Sequence, residues 1–192
     1  MADNGKVRFG LSKLYYAVLT EGSTNAWATP VAIPGAVSMD ISDNGSANTF
    51  YADNIAYYKS ISNNGYTGTL EVAQIPDQML VDVWGMTINT SGVQLEKTGV
   101  QPKPFALLFK VDTDNVDELN LFYKVTPTSK PASSPATVED SVTPFTTSFD
   151  FEATPLVTGA AAQLDLIKAK TTPTASSSII SGWFSSVYVP TA

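Results

Sequence analysis

The sequence contains no cysteine and no histidine among its 192 residues. Their absence excludes disulfide bonds, thiolate or imidazole zinc sites, and Ser–His or Cys–His catalytic pairs. Oxygen ligands for calcium remain, and the acidic turn at residues 112–115 is the best candidate. Because that turn lacks the spacing and the late glutamate of an EF-hand loop, we interpret it as a solvated turn. The sequence therefore predicts no catalytic, cofactor-binding or metal-binding residues.

Charged residues are also scarce, at 15% of the chain, and the net charge is −7. An ordinary soluble domain carries about a quarter charged residues. This surface is therefore either covered by partners or that of a bland secreted β-domain. The absence of a basic run argues against nucleic acid as a specific ligand, although an acidic protein can let nucleic acid pass without binding it.

The sequence has no apolar run long enough to span a membrane. Its first ten residues, MADNGKVRFG, lack the apolar core of a signal peptide. We therefore expect no membrane partner. We also expect a soluble protein made in the cytoplasm, or one exported by assembly rather than through a leader.

From residue 65 to residue 85 the hydrophobic pattern changes from that of a strand to that of a helix. Tyr66, Leu70 and Val72 alternate with polar residues, which is the period of a half-buried strand. Pro76 suits the first helical position, and Gly85 is a natural stop. We expect this short helix to lie over an open side of a sheet or barrel. Its apolar face is made by four residues at helical spacing: Met79, Leu80, Val83 and Trp84.

Residues 105–112 and 119–125 form the clearest antiparallel pair, separated by the acidic turn. Alternate residues beginning at Phe105 are expected to form one buried face, and those beginning at Leu119 the matching one. The same period predicts strands elsewhere, while a segment rich in Pro, Ser and Thr is expected to be a loop. The predicted strands lie at 11–19, 36–42, 145–154 and 164–169, a hairpin at 86–97 and the loop at 126–143. A last aromatic segment at 179–189 is expected to close the sheet or to contact a neighbour.

A long aromatic segment at residues 43–64 lies between two good strands. The turn signals Asp43-Asn44-Gly45 and Asn63-Asn64-Gly65 bracket it. A segment of this length is uncommon in a compact domain unless it is functional. We interpret it as an arm that docks on a neighbouring subunit; the alternative is an ordinary edge hairpin packed on its own domain. The anchors of the arm would be its four aromatic residues, Phe50, Tyr51, Tyr57 and Tyr58.

Six pieces of the chain occur together in an order typical of one protein family. They are KVRFGLSKLYYA, NTFYADN, GYTGTLEVAQIPDQMLVDVWG, KPFALLFKVDTDN, LNLFYKV and TTSFDFEATP. In these pieces, which extend to about residue 155, the chain resembles the major tail protein, or tail-tube protein, of siphophages of Gram-positive hosts. None of the pieces is a catalytic signature; their joint occurrence carries the resemblance.

The resemblance implies a mainly β fold, an antiparallel β-sandwich or partial barrel with one flanking short α-helix and extended loops. It implies a single tail-tube domain over residues 1–192, with a stacking arm at 43–64 and a less well defined C-terminal segment at 156–192. Six copies would form a ring with a continuous inner β-barrel, and rings would stack on a tape-measure protein. Tail-tip and tail-terminator proteins would be further partners in the virion, and DNA would be passing cargo.

A conduit for DNA should be acidic or neutral inside, so that it repels phosphates. We therefore expect lumen-facing side chains on the polar faces of strands whose other face is apolar. The alternative is that these are ordinary outer-surface charges. The candidates are Asp40, Glu71, Asp150 and Glu152.

Three other functions compete with the tube. Asp150 and Glu152 share a strand face at a spacing near that of glycosidase carboxylates, but nothing marks a cleft, so catalysis is the weakest interpretation. An aromatic-lined carbohydrate or receptor-binding module would use Trp27 and Trp183 for stacking. A tube protein of a contractile tail would share the fold and would need a sheath partner.

Overall fold

The computed structural model describes residues 6–137 and 144–190. These described residues form mainly β-strands, with two short α-helices and one 3₁₀ turn. In chain order these are β1 (Arg8–Thr20), β2 (Ala26–Trp27), β3 (Val31–Ile33), β4 (Ala36–Asp43), β5 (Ser46–Ala52), β6 (Ile55–Ser62), β7 (Tyr66–Val72), α1 (Asp77–Asp82), β8 (Thr87–Ile88), β9 (Gln94–Leu95), β10 (Phe105–Thr113), β11 (Glu118–Pro127), β12 (Ala132–Ser133), β13 (Thr147–Ala153), the 3₁₀ turn (Ala161–Gln163), β14 (Lys168–Lys170) and α2 (Ser177–Gly182).

One large antiparallel sheet dominates the fold. Its strands follow the order β2-β1-β10-β11-β13-β7-β4, with β3 on β1, β12 on β13 and β14 on β11. Leu14 of β1 and Leu70 of β7 lie far apart in this order but belong to one buried cluster, so the sheet curves round on itself. Among the described residues no ladder joins β1 to β4. The prediction of a mainly β sandwich or partial barrel is confirmed.

The central strands β10 and β11 are buried on both faces. Leu107 and Phe122, which are paired in register, belong to the same buried cluster as Leu14 and Leu70, the inner cluster. Leu108 and Leu121, the next pair, belong to a second cluster on the other face. The expected matching face beginning at Leu119 is therefore wrong, because that residue lies in the second cluster. Continuous apolar strands give no sign of which alternate set points inward.

Helix α1 covers one end of the inner cluster. Met79 and Val83 are fully buried and Trp84 is nearly so, which confirms the predicted apolar face. Pro76 has extended backbone angles and precedes the first helical residue, so it is the N-cap residue rather than the first helical position. Gly85 adopts a φ of +67° in the turn that follows the C-cap residue Val83, as expected for a glycine that ends a helix.

The C-terminal segment packs against the second cluster. Helix α2 occupies part of the stretch expected to be a last aromatic segment. The described chain therefore has two α-helices where the resemblance implies one. Trp183 is buried in the second cluster, and the ring of Phe184 lies 4.8 Å from that of Tyr15 between centroids. In the strand expected at 164–169, only the last two residues lie in a strand, the short β14, which pairs with β11. The predicted loop at 126–143 contains β12, and its residues 138–143 lie outside the described part.

Candidate functional site

Strands β5 and β6 form a hairpin that pairs with no other strand of the described chain. Its tip is a two-residue loop, because Ala52 pairs with Ile55. The loop residues Asp53 and Asn54 have φ values of 52° and 61°. Positive φ at both positions is the type I′ geometry, which Asp and Asn tolerate better than other non-glycine residues. The predicted arm is thus a regular β-hairpin.

The large side chains of this hairpin are exposed, although they are apolar or aromatic. Phe50 and Tyr58 lie opposite each other across the two strands, and a bulge follows towards the tip. Several exposed large apolar side chains on one small element are typical of a protein-interaction surface. The exposed fractions are 61% for Phe50, 66% for Tyr51, 62% for Ile55, 70% for Tyr57, 64% for Tyr58 and 77% for Ile61.

The two predicted turn signals lie at the base of the hairpin instead of forming hairpin turns. The backbone N–H of Asn44 donates to the carbonyl of Gly65 at 3.0 Å and so ties the two ends together. Gly65 has a φ of +104°, and a Cβ there would come within 1.9 Å of the Ala153 carbonyl oxygen. The hairpin-like turn signal at Asp43–Gly45 does not join two paired strands, because β4 pairs with β7 and not with β5.

The four acidic candidates lie on one face of the β4-β7-β13 part of the sheet. Residues directly opposite each other in antiparallel strands point to the same face. Thr69 is opposite both Asp40 and Asp150. On the neighbouring rows of the same face, Glu71 is opposite Ser38 and Glu152 is opposite Thr67. The structure brings these four carboxylates together.

Hydroxyl and amide groups surround this acidic face. Thr146 and Ser38 both donate hydroxyl hydrogen bonds to Glu71, and these bonds lower the pKa of that carboxyl. Thr69 donates to Asp150 at 2.6 Å, and Asn44 donates to Glu152 at 2.8 Å. In the described part of the chain none of the four carboxylates forms an ion pair with lysine or arginine. The face therefore carries uncompensated negative charge at neutral pH.

Strand β4 leaves one edge of the sheet open. It pairs with β7 on one side only, within the described residues. Beside it lies an open cleft of about 310 Å³, whose apolar lining comes from β1, β4 and β10. Open strand edges readily pair with another chain. The cleft lining includes Phe9, Leu11, Met39, Ile41, Phe109 and Val111.

The residues proposed for other functions have structural partners. The Trp27 indole N–H donates to the Tyr123 carbonyl at 3.0 Å. Trp183 is 3% exposed, which leaves little of its surface for sugar stacking. In the acidic turn, Asp114 accepts from the Lys6 backbone N–H and Asp112 pairs with Lys110. The described residues contain no group of three or more His, Cys, Asp or Glu residues placed to hold a metal ion.

No helix of the described chain is long and apolar enough to cross a membrane. A comparison with curated proteins found no match. A comparison with protein families found one whose model is described as phage tail tube protein and matches residues 2–179. The match continues well past residue 155, so it takes in most of the C-terminal segment. The chain belongs to this phage tail tube protein family, and its role is that of a structural component of the phage tail in the virion.

Proposed function

We propose that the chain is the major tail-tube subunit of a non-contractile siphophage tail. Six copies form a ring, and stacked rings enclose a lumen through which the phage DNA passes during ejection. The observation that carries this proposal is the β5–β6 hairpin, whose aromatic side chains are exposed and whose strands pair with no other strand among the described residues. A family whose members assemble into a tube supplies such a surface in the next copy of the same chain.

The hairpin is long enough to contact a neighbouring ring. Seven residue steps separate Ser46 from Asp53, which corresponds to about 24 Å of extended strand. Phe50, Tyr51, Tyr57 and Tyr58 are the anchors in this proposal, since buried aromatic side chains dominate interface energies.

The acidic face of β4, β7 and β13 forms the wall of the lumen. Its four carboxylates, on Asp40, Glu71, Asp150 and Glu152, have no cationic partner within the described residues. Such a wall repels DNA phosphates and keeps the genome from binding during passage. The open edge of β4 pairs with a neighbouring subunit in the ring, which removes an otherwise exposed strand edge.

In this proposal residues 1–192 are one tail-tube domain, with the stacking arm at 43–64. The ring stack surrounds the tape-measure protein and ends at tail-tip and tail-terminator proteins. The subunit itself needs no cofactor and performs no catalysis. A tube protein of a contractile tail is the alternative, and a sheath protein in purified virions would identify it.

The lumen assignment is tested in virions that carry Asp40→Lys, Glu71→Lys, Asp150→Lys and Glu152→Lys together. We expect slower DNA ejection, because lysines attract the passing phosphates. As a control, Asp77→Lys is compared with Asp40→Lys alone. Both variants change the net charge equally and neither carboxylate has an ion-pair partner among the described residues, but only Asp40 lies on this face. Unchanged ejection kinetics in the quadruple variant would contradict the lumen assignment.

A further inference from the structure

A groove of about 280 Å³ lies beside Trp84, on the loops that follow α1 and β11. The indole ring packs edge-on against Phe149, with 5.1 Å between ring centroids, and its N–H donates to the Ser129 carbonyl at 3.4 Å. The indole is thereby held in place by two contacts. The apolar part of the lining comes from Trp84, Met86, Val100, Pro102 and Pro127.

The rim of the groove is positively charged in an acidic protein. Lys97 and Lys130 contribute two positive charges, whereas Glu96 contributes one negative charge and is paired with Lys130. Val100 is 43% exposed at the mouth. The groove is thus an apolar recess with one excess cation, and it suits an aromatic side chain next to a carboxylate.

The groove and the hairpin are separate surfaces of the subunit. The hairpin enters β7 at Tyr66, whereas Trp84 packs on Phe149, which pairs with Leu70 further along β7. Four residue steps of strand separate these two levels by about 13 Å. In a head-to-tail stack, one surface of a subunit meets a different surface of the next subunit. The groove is such a surface for the hairpin of another copy.

The hairpin tip has the complementary chemistry. Tyr51 is 66% exposed beside the tip, and Asp53 in the turn carries a negative charge. We propose that the groove at Trp84 binds the β5–β6 hairpin tip of a second copy of this chain in the adjacent ring. Tyr51 packs into the apolar part of the groove beside Val100, and Asp53 lies near Lys97. This inference rests on the proposed stacking function and adds the receptor site for the arm.

Cross-linking tests the contact directly, because the chain contains no cysteine. A phage encodes the chain with both Tyr51→Cys and Val100→Cys, and the unmodified chain is co-expressed so that tails assemble. Oxidised tails should give a ladder of multimers on a non-reducing gel, whereas each single variant should give dimers at most. A ladder from Tyr51→Cys with Ile41→Cys, and none from the Val100 pair, would place the tip in the cleft beside β4 and overturn the inference.

A charge exchange provides a second test. Asp53→Lys should lower the yield of intact tails by about tenfold, the equivalent of one lost ion pair and its repulsive replacement. Adding Lys97→Glu should restore the yield, while adding Lys103→Glu should not. Failure of Lys97→Glu to restore it would count against the contact. Intact tails without the cross-link refute only this receptor site, whereas tail shafts that lack the chain refute the proposed function itself.

Discussion

The Tyr16 hydroxyl donates a hydrogen bond of 2.9 Å to the carboxylate of Asp82, and so joins β1 to α1. Gln78 donates to the other carboxylate oxygen at 2.8 Å from the exposed side of the helix. Burial, and secondly the Asp82 carboxylate, raise the pKa of Tyr16 well above its usual value. The pair fixes α1 over the inner core.

We predict different costs for removing the two partners. Tyr16→Phe removes one hydrogen bond and leaves Asp82 reachable by water, so the free energy of unfolding should fall by about 1 kcal/mol. Asp82→Ala leaves the buried tyrosine hydroxyl without an acceptor and should cost about 1–3 kcal/mol. Urea unfolding measures both, with Gln78→Ala as a control of small effect. Equal costs for Asp82→Ala and Gln78→Ala would contradict this account.

The protein should lose stability in alkali because of its buried tyrosines. Burial, with a smaller contribution from Tyr188, raises the pKa of Tyr123 to about 12. The unfolded chain releases this proton near pH 10, whereas the folded chain keeps it. Stability is therefore full below about pH 10 and declines between about pH 10 and 12, by about 1.4 kcal/mol per pH unit for each such tyrosine.

Urea unfolding across that pH range, followed with tyrosinate absorbance, measures the decline. Tyr123→Phe should make the slope of unfolding free energy against pH shallower by the equivalent of about one proton, or about 1.4 kcal/mol per pH unit. Tyr57→Phe, on the exposed hairpin, should leave the slope unchanged. A slope that is equally steep in the Tyr123 variant would contradict the assignment to that side chain.

Two glycines separate the cost of backbone strain from that of a clash. Gly65→Ala places a Cβ 1.9 Å from the Ala153 carbonyl oxygen, whereas Gly92→Ala at φ +77° meets nothing within 4 Å. We expect Gly92→Ala to cost about 1–2 kcal/mol from the positive φ alone. Gly65→Ala should cost clearly more, because β13 must also shift, and thermal unfolding compares them. Equal losses would contradict this prediction, because they would mean that the backbone at the base of the hairpin shifts at little cost in free energy.

Truncating the hairpin aromatics should separate assembly from folding. Alanine at Phe50, Tyr51, Tyr57 and Tyr58 removes exposed side chains, so the melting temperature of the subunit should change little. Tail assembly should fail, since the anchors are lost. Virion electron microscopy and thermal unfolding give the two readouts. Intact tails in this variant would remove the arm hypothesis.

Much of the fold follows from the period of the sequence. The helical spacing of Met79 and Val83 predicts the buried face of α1. The alternation in β7 and β13 puts Glu71 and Asp150 on the polar face that the structure shows. The length of the segment that contains Phe50 and Tyr58, bracketed by two turn signals, predicts an element that stands apart from the core strands.

The remaining features depend on information that the local pattern lacks. Helix α2 begins with serines and contains Ile179 and Ile180, which are poor helix formers, so tertiary packing decides its structure. Strand β11 is apolar on both faces, and the period does not show which face is inner. The hairpin turn at Asp53-Asn54 lacks the glycine that normally signals type I′ geometry.

The most direct test of the central claim is cryo-electron microscopy of the intact tail. Our account predicts a hollow shaft of stacked rings with six copies of this chain in each. The β5–β6 hairpin should cross from one ring to the next, and Asp40 and Asp150 should face the bore. A shaft built from another protein, or rings with these carboxylates on the outer surface and the hairpin folded on its own subunit, would contradict it.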